Sequence, residues 1–369
     1  MKKIILMASL AAFALVSCNK DFVVEENYGS KIEFRSAVDT RATELILEDV
    51  NEFYVTALYE DGSEYFNDTF TRSDDASYVY ESATEYYWPS DDNLTFFAYY
   101  PSAETLGVEI NINANQRGFV GYTPSTNIGE QKDFIATVVV TNKTESAAGV
   151  EVEFKHQLSQ IEIKAKNNND SYTVKIKEAK IVNVAGSGDF DFTAPMKNWT
   201  PSTDVTASYS IACKNPNDAN EEFITLGESA VSLMGANGNA MLIPQTRIAW
   251  GPAVAAEQEP TEGEEPTEGE EPTEEAPETD PTGSYIAFLI QVDSATGSRI
   301  FPLVDGDAYD WVVLPIAFDW VAGYKYTYVC DFSNGLGVLP GTGENILGGM
   351  IELNASFNSW TYTGTGIEM

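Results

Sequence analysis

Histidine is almost missing from this chain: His156 is the only one in 369 residues. A multi-histidine metal centre is thereby excluded, and the three cysteines, Cys18, Cys213 and Cys330, have no zinc-type spacing. Positive charge is also scarce, with 21 Lys and Arg against 57 Asp and Glu and a formal net charge of −36. A field of that sign repels phosphate backbones and anionic lipid, so nucleic acid is not an expected partner. Apolar runs able to span a ~30 Å hydrocarbon core are lacking; the nearest, Ile4 to Val16, is too short. Gly-rich phosphate loops, nucleophile elbows and metal-binding helix motifs are missing as well, and no cofactor is implied. Few segments show a sustained helical period.

Two weak chemical signals remain. His156 lies three residues before Ser159, but it sits between two strand-like runs and reads as a packed structural histidine. Asp305, Asp307 and Asp310 form a loose acidic group that reads as a polar turn between strands rather than a calcium site. Catalytic and metal residues are therefore both expected to be none. Cys213 and Cys330 could pair after export, though both read better as small buried residues within strands.

What is present begins at the N-terminus. Lys2 and Lys3 precede the apolar stretch, and a small-residue exit follows it, which is the pattern of an export signal over residues 1–17. Leu15-Val16-Ser17-Cys18 resembles the lipobox of bacterial lipoproteins. That resemblance implies cleavage before Cys18 and a lipid, palmitate included, on its thiol; the alternative is an ordinary secretory signal with an incidental cysteine. Lys31 to Val38 then reads as one short strand, with Ile32, Phe34 and Val38 available to a core.

With 43% hydrophobic residues the body can build real cores, and its length suggests two domains. Short aromatic and β-branched runs recur from Leu45 to Tyr122: Phe53–Tyr59, Tyr65–Thr71, Tyr78–Trp88, Leu94–Tyr100 and Val108–Ile112. Asp61-Gly62 marks a hairpin between the first two. Phe134 to Val140 predicts a strand buried on both faces. Val150–Phe154, Ile161–Ala165 and Tyr172–Lys177 alternate strictly, which predicts antiparallel strands with one wet face. The domain boundary is placed near Gly149, giving an N-terminal domain of residues 42–149 and a C-terminal domain of residues 150–369.

Within the second domain the stretch from Ala253 to Gly283 differs in kind. Pro260-Thr261-Glu262-Gly263-Glu264-Glu265 repeats as Pro266 to Glu271 and then decays, and twelve acids with no base lie between Glu257 and Asp280. Such a composition cannot bury enough apolar area to offset ordering entropy, so a disordered acidic insertion is expected. Strand signals resume at Tyr285–Val292, Ile300–Val304, Trp311–Leu314 and Gly323–Val329. The closing stretch, 350–369, carries Ile351, Leu353, Ala355 and Phe357 on one alternating face, a candidate for a donated strand.

Several stretches together resemble the fimbrillin family, the lipoprotein-derived subunits of type V pili. Trp88-Pro89 followed by Leu94 to Pro101 is similar to the family's tryptophan-then-FfAyyP segment, and Phe154 to Ile161 to its F-x-H-x-L-S-x-I segment. Leu242 to Gln245, Trp320 to Tyr328 and Phe357 to Trp360 match later landmarks in the same order. The acidic insertion is a departure from the pattern. The resemblance implies an all-β chain of two transthyretin-like β-sandwich domains in tandem, without catalysis. It also implies a lipidated precursor carried to the outer membrane surface, cut by an Arg-specific protease and built into a fimbrium. Arg41 followed by Ala42 sits where that family is cut, and Arg35 is a second candidate, so residues 18–41 form the propeptide. Its strand would be a placeholder that leaves on cleavage, with other copies or related pilins as head-to-tail partners. The alternative is a fimbrial tip adhesin or a non-polymerising surface lipoprotein that binds glycan or protein.

Overall fold

A computed structural model of the protein describes residues 30–36, 50–73, 79–89, 93–194, 198–215, 218, 220–235, 238–251, 283–304, 306 and 308–359. Almost all regular structure is β. The first half contains β1 (Phe34–Ser36), β2 (Glu52–Tyr59), β3 (Glu64–Arg72), β4 (Val79–Glu81) and β5 (Leu94–Tyr100). A one-turn helix, α1 (Ala103–Leu106), follows; then come β6 (Asn111–Ile112), β7 (Arg117–Tyr122), β8 (Ile135–Thr141), β9 (Val150–Val152) and β10 (Lys155–His156).

Eight of these form one sheet in the order β10-β8-β5-β2-β3-β4-β1-β9. The two outermost strands are separated in sequence only by Glu153 and Phe154. One stretch of chain therefore holds both edges, and the sheet curls round until it nearly closes on itself. The β2–β3 hairpin turns where Asp61-Gly62 predicts it: Gly62 has φ +82°, and a Cβ there would lie 2.8 Å from that of Ala114. Inside the curl, phenylalanines from β1, β2, β3 and β5 meet Tyr80, Trp88, Val150 and Val152.

The second half supplies β11 (Ser159–Lys166), β12 (Tyr172–Ala185), β13 (Gly188–Asp191), β14 (Trp199–Pro201), β15 (Thr206–Ala212), β16 (Ile224–Thr225), β17 (Val231–Ser232) and β18 (Ala240–Leu242). It continues with β19 (Thr246–Arg247), β20 (Tyr285–Ser294), β21 (Arg299–Phe301), β22 (Asp310–Pro315), β23 (Phe318–Asp319), β24 (Tyr324–Asp331) and β25 (Glu352–Ser359). One sheet runs β17-β11-β24-β25 with β18 beside β11; another runs β15-β12-β20-β21 with β16 and β22 alongside. Their inner faces share a core that includes Ile163, Ile176, Phe288 and Phe332, so this half is a sandwich.

The structure departs from the sequence reading at identifiable places. The strand Val150–Val152 and the pair Lys155–His156, assigned to the second domain, belong to the first sheet. Conversely β13 pairs with β7, so Phe190 and Trp199 stack with Phe119 and Phe134 in a core shared by both halves. The run Phe134–Val140 is buried only in its first part; Val138 and Val140, on the same face as Phe134 and Ala136, are exposed. Tyr78–Trp88 yields three strand residues, and Val108–Ile112 only two. Most informatively, β11 runs antiparallel to β18 and β17 on one edge, as expected, but parallel to β24 on the other, from Gln160↔Lys325 to Lys166↔Asp331. Glu162, expected on a wet face, is buried with its carboxylate 3.3 Å from Lys325 and 3.4 Å from Lys164.

Cys213 and Cys330 are both free and buried. Burial pushes the Cys213 thiol up to about 12, with the Glu178 carboxylate adding to it, and burial raises Cys330 as well. In a Cys18→Ser chain neither thiol should react with an aromatic disulfide at pH 8 until urea unfolds the protein, whereupon both titrate. Rapid labelling of either in the native state would contradict this packing.

Candidate functional site

The site built by the first strand is a slot in the curled sheet. β1 runs antiparallel to β4, with Phe34↔Tyr80 and Arg35↔Val79, and parallel to β9 from Phe34↔Val150 to Ser36↔Val152. Upstream the ladder continues: Ile32 N–H donates to Tyr86 C=O at 2.8 Å and Trp88 N–H to Ser30 C=O at 3.0 Å. On the other side Val150 N–H donates to Glu33 C=O at 2.8 Å. The strand is thus held on both edges by backbone bonds, independent of side-chain identity.

Alternation sends Ile32 and Phe34 inward, and both are buried. Phe34 is the hub of the core, with its ring edge-on to Phe70 at 4.6 Å, Phe96 at 5.3 Å and Phe53 at 5.8 Å between centroids. The three edge-to-face contacts of Phe34 favour this arrangement beyond the area they bury, while Phe53 and Phe70 lie nearly parallel to each other. The outward side chains do less. Lys31 lies 3.0 Å from Glu81, a bond that raises its ammonium pKa above the ordinary value, and 3.8 Å from Glu85. Arg35 packs over Gly149, whose φ of +113° only glycine adopts easily, and where a Cβ would stand 3.1 Å from the arginine.

The chain re-enters the described structure at Val50, which is buried and pinned. Its carbonyl accepts from the Tyr80 hydroxyl at 2.8 Å and from Arg72 Nη2 at 2.9 Å. Both flanks of residues 37–49 are therefore fixed. Cys18, Val38, Arg41 and Ala42 lie outside the described residues, as do 252–282 and everything from Trp360 onward.

At the other end of the chain, β25 pairs antiparallel with β24 along its whole length, from Tyr324↔Ser359 to Asp331↔Glu352. It forms the last strand of its sheet, with no further neighbour among the described residues. The expected apolar face is present but only its beginning is covered. Ile351 is buried, Leu353 half-buried, Ala355 exposed and Phe357 67% exposed, its ring beside those of Tyr324 and Tyr326. A strand so placed presents an edge with no neighbouring strand among the described residues, together with an apolar stripe that is largely exposed.

The remaining candidates do not assemble into chemistry. His156 Nδ1 is 2.6 Å from Asp133 Oδ2, both side chains nine-tenths buried, while Ser159 donates instead to the Val321 carbonyl at 2.9 Å. Among the described residues no group of three His, Cys, Asp or Glu could hold a metal ion. Sequence reasoning identified Ile32 and Phe34 but not the walls and floor they enter: β9, Phe53, Phe70 and Phe96. The alternation of Val150-Glu151-Val152 was visible; nothing local said that its neighbour is residue 34.

Among the described residues, the first strand fills an internal slot of one sheet and the last strand forms the edge of another. The fimbrillin-like family model matches residues 40–352, and the chain belongs to that family. A comparison with curated proteins returned no significant match. Among solved structures, one from Parabacteroides distasonis, provisionally named a cell adhesion protein, is similar at 9% identity with a TM-score of 0.50, covering 91% of this chain and 98% of that one. A Bacteroides uniformis protein with the same provisional name is 16% identical with a TM-score of 0.44, covering 90% and 99%. The fimbrial anchor protein Mfa2 of Porphyromonas gingivalis is 11% identical with a TM-score of 0.35, covering 89% and 97%. At such identity the Parabacteroides structure shows a shared fold alone.

Phe34→Ala should lower the stability of the uncleaved chain by about 3–5 kcal/mol, read from urea unfolding. Phe357→Ala should change it by about 0.5 kcal/mol or less. Equal effects at the two positions would mean that β1 is no more integral to the fold than the free edge.

Proposed function

We propose that this protein is a structural subunit of surface fimbriae serving cell adhesion, made competent by proteolytic loss of its first strand. The observation that carries this reading is the setting of Phe34. It is fully buried at the centre of an aromatic core, on a strand that reaches the rest of its sheet only through residues 37–49, where Arg41 lies.

In this reading a lipid on Cys18 tethers the exported precursor to the outer membrane. While the chain is intact, β1 is covalently tied to its own slot, and its effective concentration there far exceeds that of any strand from another molecule. Cleavage after Arg41, leaving Ala42 as the new terminus, ends that advantage. The Val50 end stays pinned by Tyr80 and Arg72, while Ile32, Phe34 and Val38 are free to depart. Burial of Ile32 and Phe34 contributes about 3–6 kcal/mol before entropy, so the vacated slot strongly favours a replacement. Arg35 lies within the ladder, where a protease cannot extend the chain; this favours Arg41 as the cut.

The replacement is the C-terminal stripe Ile351, Leu353, Ala355 and Phe357 of a neighbouring copy, whose period of two matches that of Ile32 and Phe34. A strand given from one end and received at the other makes a head-to-tail contact, and that symmetry propagates as an open filament.

Treating the purified precursor with an Arg-specific protease should yield Ala42-started chains that form a ladder of oligomers on native gels. Arg41→Ala precursor should stay monomeric under the same treatment. Fully cleaved chains that remain monomeric with residues 351–357 intact would refute the assembly route.

A further inference from the structure

The outer face of the sheet formed by β12, β20 and β22 carries what most of this surface lacks. Lys175, Lys177 and Lys180 stand close together on β12, three of only 21 bases in a chain of net charge −36. Each ammonium lies over an aromatic ring. Lys175 is 5.4 Å from the centroid of Phe223, Lys177 is 5.7 Å from that of Tyr309, and Lys180 is 4.0 Å from that of Trp311.

Register produces this gathering. Lys175 is opposite Gln291 and Lys180 opposite Ala287, and Trp311 on β22 is opposite Leu289; a bulge between Ile176 and Glu178 exposes Lys177. The carboxylates on or beside the face are Asp293, Glu178 and Asp310. Asp293 is 3.6 Å from Lys175 but is also held by Arg299 at 2.8 Å, and Glu178 is 3.4 Å from Lys180. Lys177 has no carboxylate within ion-pair distance among the described residues. Ammonium groups held over rings are fixed in place and retain their charge, which makes such a face a ready receiver of carboxylates.

A second observation names the occupant. The acidic insertion leaves and rejoins the fold at one point on this face. Ala249 bridges Ser284, Trp250 N–H donates to Ser284 C=O at 3.0 Å, and Ser284 N–H donates to Ile248 C=O at 2.9 Å. Trp250 packs on Tyr285, and with Val182 and Trp311 these rings border the same small apolar cluster. An apolar strip thus runs from the anchor to Lys180. Lys180 is opposite Ala287 and Lys175 opposite Gln291, so at the strand rise the lysines lie about 10–23 Å from the anchor at Ser284. The stretch 252–282, tied at both ends, can extend on the order of 50 Å. One six-residue repeat, fully extended, covers about 20 Å, more than the roughly 13 Å span of the lysine row.

We infer that this lysine–aromatic face is the docking surface for the chain's own acidic repeat, with carboxylates between Glu257 and Asp280 pairing with Lys175, Lys177 and Lys180. Tethering supplies a high local concentration, and the contact weakens as salt shortens the Debye length. The repeat would then be stowed against its own subunit rather than offered to a partner. This inference is independent of the strand-exchange reading.

Zero-length carbodiimide coupling of the intact full-length chain, followed by peptide mass spectrometry, tests it. Isopeptide links should join Lys175, Lys177 or Lys180 to glutamates of the repeat, and their yield should fall about tenfold between ~20 mM and ~0.5 M salt. An equal mixture of unlabelled and nitrogen-15-labelled chains should show these links within one chain. Links between chains, links chiefly to Lys164, Lys166 and Lys325 on the other sheet, or no repeat links at all would overturn it. A K175Q/K177Q/K180Q variant, checked for an unchanged melting curve, should not divert the repeat to a new lysine cluster; undiminished coupling of the repeat there would equally overturn the assignment.

Discussion

The first sheet depends on one insertion: the Phe34 ring among Phe53, Phe70 and Phe96. Everything around it is arranged as a holder. β4 and β9 supply hydrogen bonds on either side, and the stretch 150–156 ties the far edge of the sheet back to the near one. Close-packed interiors do not tolerate a missing aromatic ring, so the curl is complete only while something fills that position. The backbone bonds are indifferent to sequence, and the floor asks only for alternating apolar groups. These two facts make the slot exchangeable in principle.

The two ends of the chain are built to opposite rules. β1 is short and interior, with Phe34 fully buried; β25 is longer, peripheral and mostly bare, held by its ladder to β24 rather than by side-chain burial. The same contrast recurs in charge. Where acidic groups enter the fold they are met at close range, as Glu162 is by Lys164 and Lys325, and Asp331 by Lys166 at 2.8 Å. Desolvation raises the Asp331 carboxyl, but the Lys166 and Ser333 bonds outweigh it and leave the group below its usual value. Few bases are available, and the fold places several of them on the two outer faces of the sandwich in the second half.

Strand positions were largely legible because they rest on local chemistry: aromatic and β-branched runs at Phe53–Tyr59 and Leu94–Tyr100, a turn at Asp61-Gly62, and a strand-like run at Tyr285–Val292. Neighbour relations were not, because alternation reports which face a side chain takes and says nothing about the adjacent strand. Ile161–Ala165 is antiparallel to β18 and β17 as its alternation suggests, yet its other edge lies parallel to β24 with Glu162 covered. Val150–Val152 was assigned to the wrong side of a boundary for the same reason. Of the candidate site, Ile32, Phe34 and the 351–357 stripe could be read directly; the aromatic floor could not, since its members are spread over dozens of residues. The gathering of Phe223, Tyr309 and Trp311 over three lysines is a long-range coincidence of register that no window of sequence contains.

The slot's ladders have a mechanical consequence. β1 is bonded along both edges, antiparallel on one side and parallel on the other. A strand lying there and pulled along its length loads all of those bonds together in shear, whereas a single edge pulled from one end unzips bond by bond. A fibre joined through such slots would therefore resist tension at each junction with many bonds in concert. Its lifetime under flow would be set by the rate of forced opening rather than by the equilibrium strength of the contact.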